Sequence, residues 1–198
     1  SVEPFDHEHI VAGQGTMGLE ILEENPDVRT VVVCTGGGGL LAGTALAIKT
    51  LRPDVRIVGV QAAEAAAYPA SLSQGAPLKL ERMSTMADGI AVGRPGDIPF
   101  ALVRDHVDEI VTVSEDSLAR ALLLTMERSK LLAEPAGIAA VAAILDNPSA
   151  FEGPVVASIS GGNIDPQLLS RVVRTGLAAA GRFFMLQVRI PDVPGSLA

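Results

Sequence analysis

The chain has 198 residues, 48% hydrophobic and only 3% aromatic, with a formal net charge of −8. That length buries one sizeable core and leaves room for part of a second domain, and the apolar, Ala-rich composition excludes a disordered chain and favours helices packed on a sheet over a sandwich. The acidic balance excludes a general nucleic-acid-binding role, because no basic surplus is present to neutralise phosphate backbones.

The start, Ser1-Val2-Glu3-Pro4-Phe5, is polar and acidic and carries no secretory signal pattern. Gly13–Glu24 reads as a helix stopped by Asn25-Pro26-Asp27. Thr30–Thr35 is rich in β-branched residues and reads as a buried strand. It contains the single cysteine, Cys34, which reads as a packing residue. One cysteine gives no disulfide framework, so a cytoplasmic location is expected. A helix over Leu40–Leu51 and a second strand over Arg56–Gln61 complete a βαβ unit, hence a parallel sheet and an α/β fold.

Ala62–Ser73 reads as helical in part. Ser84–Pro99 holds too many Gly and Pro residues for a regular element, and such a segment inside a compact domain is usually functional. Asp108–Val113 is a predicted strand, and Ser114 caps a helix with Glu115 and Asp116 in its first turn. The spacing predicts a helix from Pro135 to Leu145, a buried strand over Pro154–Ser160 and a helix over Asp165–Arg174. The longest apolar stretch, Leu131–Leu145, is interrupted by Glu134-Pro135 and is too short to span a bilayer. Residues 177–181 read as a small-residue linker. Phe183–Ile190 then alternates like an antiparallel strand, followed by a turn and a helix start at 196–198. These pieces cannot bury a core alone, so the chain is expected to be a piece of a longer protein.

The most informative local feature is Gly36-Gly37-Gly38-Gly39, between the first strand and the second helix. Glycines at such a turn let backbone N–H groups converge on one spot, and the helix adds its own free N–H groups and positive dipole end. A phosphate suits that place, and a tight structural turn is the alternative. Nucleotide fingerprints fail: G-x-G-x-x-G from Gly36 needs glycine where Leu41 stands, and the strand that should end in an acid ends near Gln61. A P-loop read from Gly38 finds Gly43 but then Thr44 in place of lysine. His7-Glu8-His9 and His106 lack further spaced ligands and read as solvated, so no metal site is expected.

Five motifs in fixed order carry a resemblance: Gly13-Gln14-Gly15-Thr16, the tetraglycine, Ala87-Asp88-Gly89-Ile90, Glu134-Pro135-Ala136-Gly137 and Ser160-Gly161-Gly162-Asn163. Over residues 1–176 the chain resembles the large, parallel-sheet domain of the fold-type-II pyridoxal-phosphate enzymes, and within them the threonine (serine) dehydratases, with serine racemases as near relatives. Residues 182–198 resemble the opening of an ACT domain. The resemblance implies pyridoxal 5'-phosphate as cofactor, L-threonine or L-serine as substrate, no nucleic-acid or membrane partner, and a homo-oligomer for the full-length protein. The implied reaction is β-elimination of L-threonine to 2-oxobutanoate and ammonia.

The resemblance also implies roles. Gly36, Gly37, Gly38, Gly39 and Leu40 would hold the cofactor phosphate through backbone N–H groups, and Ser160 would meet the pyridine nitrogen. Gly89 would let the chain pass close to the cofactor, and Glu134 would order the side of the ring that bears the phenolic oxygen. Each also has a plain reading: a cap for Ser160, a solvated carboxylate for Glu134, a turn glycine for Gly89. The chain departs from the family in one central respect. The Schiff-base lysine belongs to a motif absent here, and Lys49, Lys79 and Lys130 stand in other contexts. No catalytic residue is therefore expected in this chain, which alone should be inactive. The racemases' divalent-cation site has its counterpart in Gln61–Ala67, which lacks most of the oxygen ligands, so no Mg²⁺ site is expected.

Overall fold

In the computed structural model, which describes residues 4–189, four parallel strands form one sheet in the order β3-β2-β1-β4. The strands are β1 (Thr30–Cys34), β2 (Arg56–Ala62), β3 (Glu109–Val113) and β4 (Val155–Ala157). The helices are α1 (Glu8–Glu24), α2 (Gly39–Leu51), α3 (Ala67–Gln74), α4 (Asp97–His106), α5 (Glu115–Ser129), α6 (Ala139–Asp146) and α7 (Pro166–Ala179). Among the described residues no helix is long and apolar enough to cross a membrane.

All five residues of β1 are buried, as a strand covered on both faces requires. Val31 and Val33 join Ile57 and the helices α1, α2 and α4 in one core cluster. Val32 and Cys34 point the other way, into a second cluster built on α5 and α6. This alternation follows from the period-2 geometry of a strand. The chain steps from β1 through β2 to β3 on one side, whereas β4 pairs with β1 on the other. The carboxyl ends of β1 and β4 therefore flank the point where strand order reverses, which is where open α/β sheets bind ligands.

Helix α1 lies against α2 through small residues. A Cβ at Gly18 would sit 2.8 Å from the Thr44 carbonyl oxygen, and one at Gly43 would overlap the Val11 carbonyl oxygen. The first predicted helix thus begins earlier than expected, with His7 as N-cap accepting from the His9 N–H at 3.1 Å. The helix runs through the buried Gly15 and Gly18 because packing on α2, not propensity, decides there.

Other boundaries differ for identifiable reasons. Helix α4 has no counterpart among the predicted elements. Its free N-terminal N–H groups at Asp97 and Ile98 are capped, each at 2.9 Å, by the carboxylate of the distant Asp6. Helix α6 starts at Ala139, not Pro135, because residues 134–137 are drawn into a turn: the Glu134 N–H donates to Gly161 O at 2.9 Å, and the Ser160 N–H donates to Gly137 O at 3.3 Å. The same bonds end β4 at Ala157, so Ser160 lies three residues beyond the strand. Helix α7 continues through Ala179 and occupies the first three positions of the stretch read as a linker. Residues 183–189 form no strand; Phe184, Met185 and Leu186 are more than three-quarters exposed, and no strand among the described residues pairs with them. The turn and helix start expected at 191–198 lie outside the described residues.

Candidate functional site

Beyond Cys34 the Thr35 N–H donates to Val60 O at 2.8 Å, which holds the end of β1 to β2. The chain then turns through Gly36 and Gly37 into Gly38, whose φ of 102° and ψ of −6° lie in the left-handed region. Gly38 is the N-cap of α2, and the helix proceeds from Gly39 with no acidic residue in its first turn. Among the described residues the N–H groups of Gly36, Gly37 and Gly38 have no hydrogen-bond acceptor. The first-turn N–H groups of α2 lack intrahelical acceptors by construction. A run of unpaired donors, half-buried at Gly36 and buried at Gly37 and Gly38, at a positive helix end is the complement of an anion.

Phe5, itself one of the residues lining the adjoining cavity, presses against this run. A Cβ at Gly37 would overlap the Phe5 ring, and one at Gly39 would lie 3.0 Å from the Phe5 carbonyl oxygen. That cavity, of about 380 Å³, is lined by Gly36–Gly39, Leu40, Gly89, Ile90, Glu134 and Ser160 among others. All eight residues singled out from the sequence line this one cavity. Its donor set fits a phosphate monoester, and its apolar wall at Ile90, Val92 and Ala136 fits a flat aromatic ring.

Opposite the glycines, the Ser160 hydroxyl is 3.0 Å from the Cys34 thiol, and the Cys34 N–H donates to the Ser158 hydroxyl at 3.3 Å. Cys34, read from the sequence as packing, is indeed buried but also faces the cavity. Burial pushes its thiol above the usual range, against the pull of the Ser160 and Ser158 hydroxyls. Gly89 allows the loop to approach the turn that carries Glu134: a Cβ there would meet the Ala136 Cβ at 3.0 Å and Glu134 Oε1 at 3.5 Å.

Desolvation raises the Glu134 pKa above the usual carboxylate range, and the Asp88 charge raises it further, against a backbone N–H bond from Asn163. A carboxyl whose folded pKa is raised contributes stability that is complete below the unfolded value and is lost as pH rises through the folded one. Replacing Glu134 by Gln should therefore leave stability unchanged near pH 3 and increase it at about pH 7. Thermal unfolding at the two pH values measures this, and a Gln variant less stable than the parent at neutral pH would contradict it.

The lysines stand apart from the cavity. Lys49 occupies the last turn of α2 and bonds Asp108 at 2.8 Å and Pro53 O at 3.3 Å. It lies about 15 Å along the helix from the glycines. Lys130 caps α5 and donates to Glu127 O at 2.7 Å, and Lys79 is exposed in a loop.

Gln61 and Tyr68 carry roles that local sequence does not reveal. The Gln61 amide donates to Thr35 O at 3.3 Å and accepts from the Tyr68 N–H at 2.9 Å. Its oxygen is thus committed within the fold. Among the described residues no group of three or more His, Cys, Asp or Glu could hold a metal ion.

Comparison with known proteins gives a consistent picture. The family model described as "Pyridoxal-phosphate dependent enzyme" matches residues 1–161. The chain is 45% identical over 196 residues to an L-threonine ammonia-lyase of Thermotoga maritima, covering 99% of this chain and 49% of the relative. It is 48% identical over 198 residues to an L-threonine ammonia-lyase of Geobacter sulfurreducens, covering 100% of this chain and 49% of the relative. Among solved structures, the processed form of threonine deaminase isoform 2 from Solanum lycopersicum superposes with a TM-score of 0.83 at 33% identity, over 88% of this chain and 49% of that one. The chain spans about half the length of the curated relatives it matches.

Proposed function

The chain belongs to the pyridoxal-phosphate-dependent enzyme family, and from that membership we propose that the whole protein is an ammonia-lyase acting on L-threonine or L-serine. This chain then supplies its phosphate cradle and its pyridine-nitrogen partner. The observation that carries the reading is the set of unpaired N–H groups at Gly36, Gly37 and Gly38, facing Ser160 across one cavity at the sheet's switch point. Pyridoxal 5'-phosphate, when bound, supplies the electron sink that allows a β-hydroxyl to leave after the α-proton is removed.

The residues divide the work. The glycine N–H groups and the positive end of α2 would hold the phosphate dianion. The Ser160 hydroxyl, held by the Cys34 thiol, orients the ring. As a neutral group it does not force a proton onto the ring nitrogen, which favours quick β-elimination over transamination. Glu134, a lining residue of the cavity whose pKa is raised by desolvation, would order the side of the ring that bears the phenolic oxygen. Ile90 and Val92, which line the cavity, would shield the bound ring from water. The lysine that anchors the cofactor and removes the α-proton comes from outside these 198 residues, so the chain alone is inactive. The tail from 182 onward opens an ACT-like regulatory module, the whole protein is a homo-oligomer, and it works in the cytoplasm.

The test is a 2-oxo acid assay on the full-length protein with L-threonine and L-serine. Formation of 2-oxobutanoate or pyruvate with release of ammonia is the expected result. Racemisation of serine without 2-oxo acid would contradict the proposal.

A further inference from the structure

A glycine run can point its N–H groups in many directions, so something must hold this one. The Gly37 carbonyl oxygen accepts two hydrogen bonds, from the Gly96 N–H at 3.0 Å and from the Tyr68 hydroxyl at 3.2 Å. The peptide between Gly37 and Gly38 is trans, so its C=O and its N–H point to opposite sides. Neither Tyr68 nor Gly96 lines the cavity. Fastening the carbonyl toward them therefore turns the Gly38 N–H toward the cavity.

We propose that Tyr68 is the positioning residue of the anion cradle, its hydroxyl setting the peptide plane that presents the Gly38 N–H to a bound phosphate; this rests on the reading of the glycine run as a phosphate site. Tyr68 is built for a fixed hydroxyl. It is fully buried, its ring stacks on Phe100 with centroids 6.3 Å apart, and its own N–H is bonded to Gln61. Gln61 in turn bonds Thr35 O, immediately before the glycines. The cradle, the end of β2 and the start of α3 thus form one bracket. Burial also pushes the phenol well above its usual range, so it remains a donor at any working pH.

The test compares the full chain with Tyr68→Phe, which keeps the ring and its stacking on Phe100. Both are titrated with pyridoxal 5'-phosphate and with pyridoxal, which lacks the phosphate. The variant should bind pyridoxal 5'-phosphate about fivefold more weakly and pyridoxal as the parent does. The same ratio of the two affinities in both proteins overturns the role of Tyr68 and leaves the cradle reading intact. A parent that does not prefer the phosphate-bearing ligand overturns both. Tyr68 is the only tyrosine, so 3-fluorotyrosine labels this position alone without removing the hydroxyl. Its ¹⁹F resonance should move when inorganic phosphate is added and stay still with pyridoxal; a resonance indifferent to phosphate overturns the proposal.

Discussion

Replacing Gly38 by alanine is expected to cost about 2–4 kcal/mol of folding stability and to weaken binding of a phosphate-bearing ligand about a hundredfold. Two effects combine. At φ 102° an L side chain is strained, and the added Cβ would overlap the Tyr68 hydroxyl and lie 3.0 Å from the Pro99 Cβ. Relief requires the peptide to rotate or Tyr68 to withdraw, and either motion turns donors away from the cavity. Losing two hydrogen bonds to a charged group at about 1.5 kcal/mol each accounts for the loss of affinity. Gly75 is the control. Its φ is 75°, and a Cβ added there would meet nothing within 4 Å, so Gly75→Ala should cost about 1 kcal/mol and leave binding unchanged. Urea unfolding with ligand titration on both variants decides the matter. Equal effects at the two glycines would mean that Gly38 is only a turn residue.

Leu41→Ala should destabilise the chain by about 3 kcal/mol, the usual cost of emptying a fully buried leucine site that cannot collapse. Leu41 stands in the first turn of α2, is 0% exposed and faces the sheet. It fills the space left by a missing side chain on β2: a Cβ at Gly59 would be 2.6 Å from Leu41 Cδ2. Removing the leucine opens a void between α2 and the strands, and the rigid sheet cannot follow. Because α2 presents its N-terminus to the cavity, the folded variant should also bind pyridoxal 5'-phosphate a few-fold more weakly. A loss of stability below about 1 kcal/mol would show that the helix settles onto the sheet and that the packing is not as tight as described.

Much of this is legible in local pattern. A β-branched run marks β1, a shorter apolar run broken by Gly59 marks β2, breakers mark the loop before α4, and Ser114 marks the start of α5, where its hydroxyl accepts from the Ser117 N–H at 3.1 Å. The parallel sheet follows from the alternation of strands and helices. Of the eight site residues the glycine run alone stands out by local pattern; Leu40, Gly89, Glu134 and Ser160 are reached through the resemblance of the ordered motifs, and the structure gathers all eight round one cavity. The misses share a cause. Helix α4 depends on the carboxylate of Asp6, far earlier in the chain, the start of α6 depends on bonds to Gly161 and Ser160, and the length of α1 depends on glycine contacts with α2. None of these is written within a window of neighbouring residues. Tyr68 and Gln61 escape a local reading for the same reason: their importance lies in bonds to Gly37 and Thr35 across the fold.

The central claim is that this chain holds the phosphate end of pyridoxal 5'-phosphate but has no lysine that reaches it. Titration with the cofactor, followed by borohydride reduction and intact mass measurement, tests it most directly. Saturable binding with no gain in mass is the predicted result. A stoichiometric adduct on Lys49, Lys79 or Lys130 would contradict it, because each of these side chains lies away from the cavity.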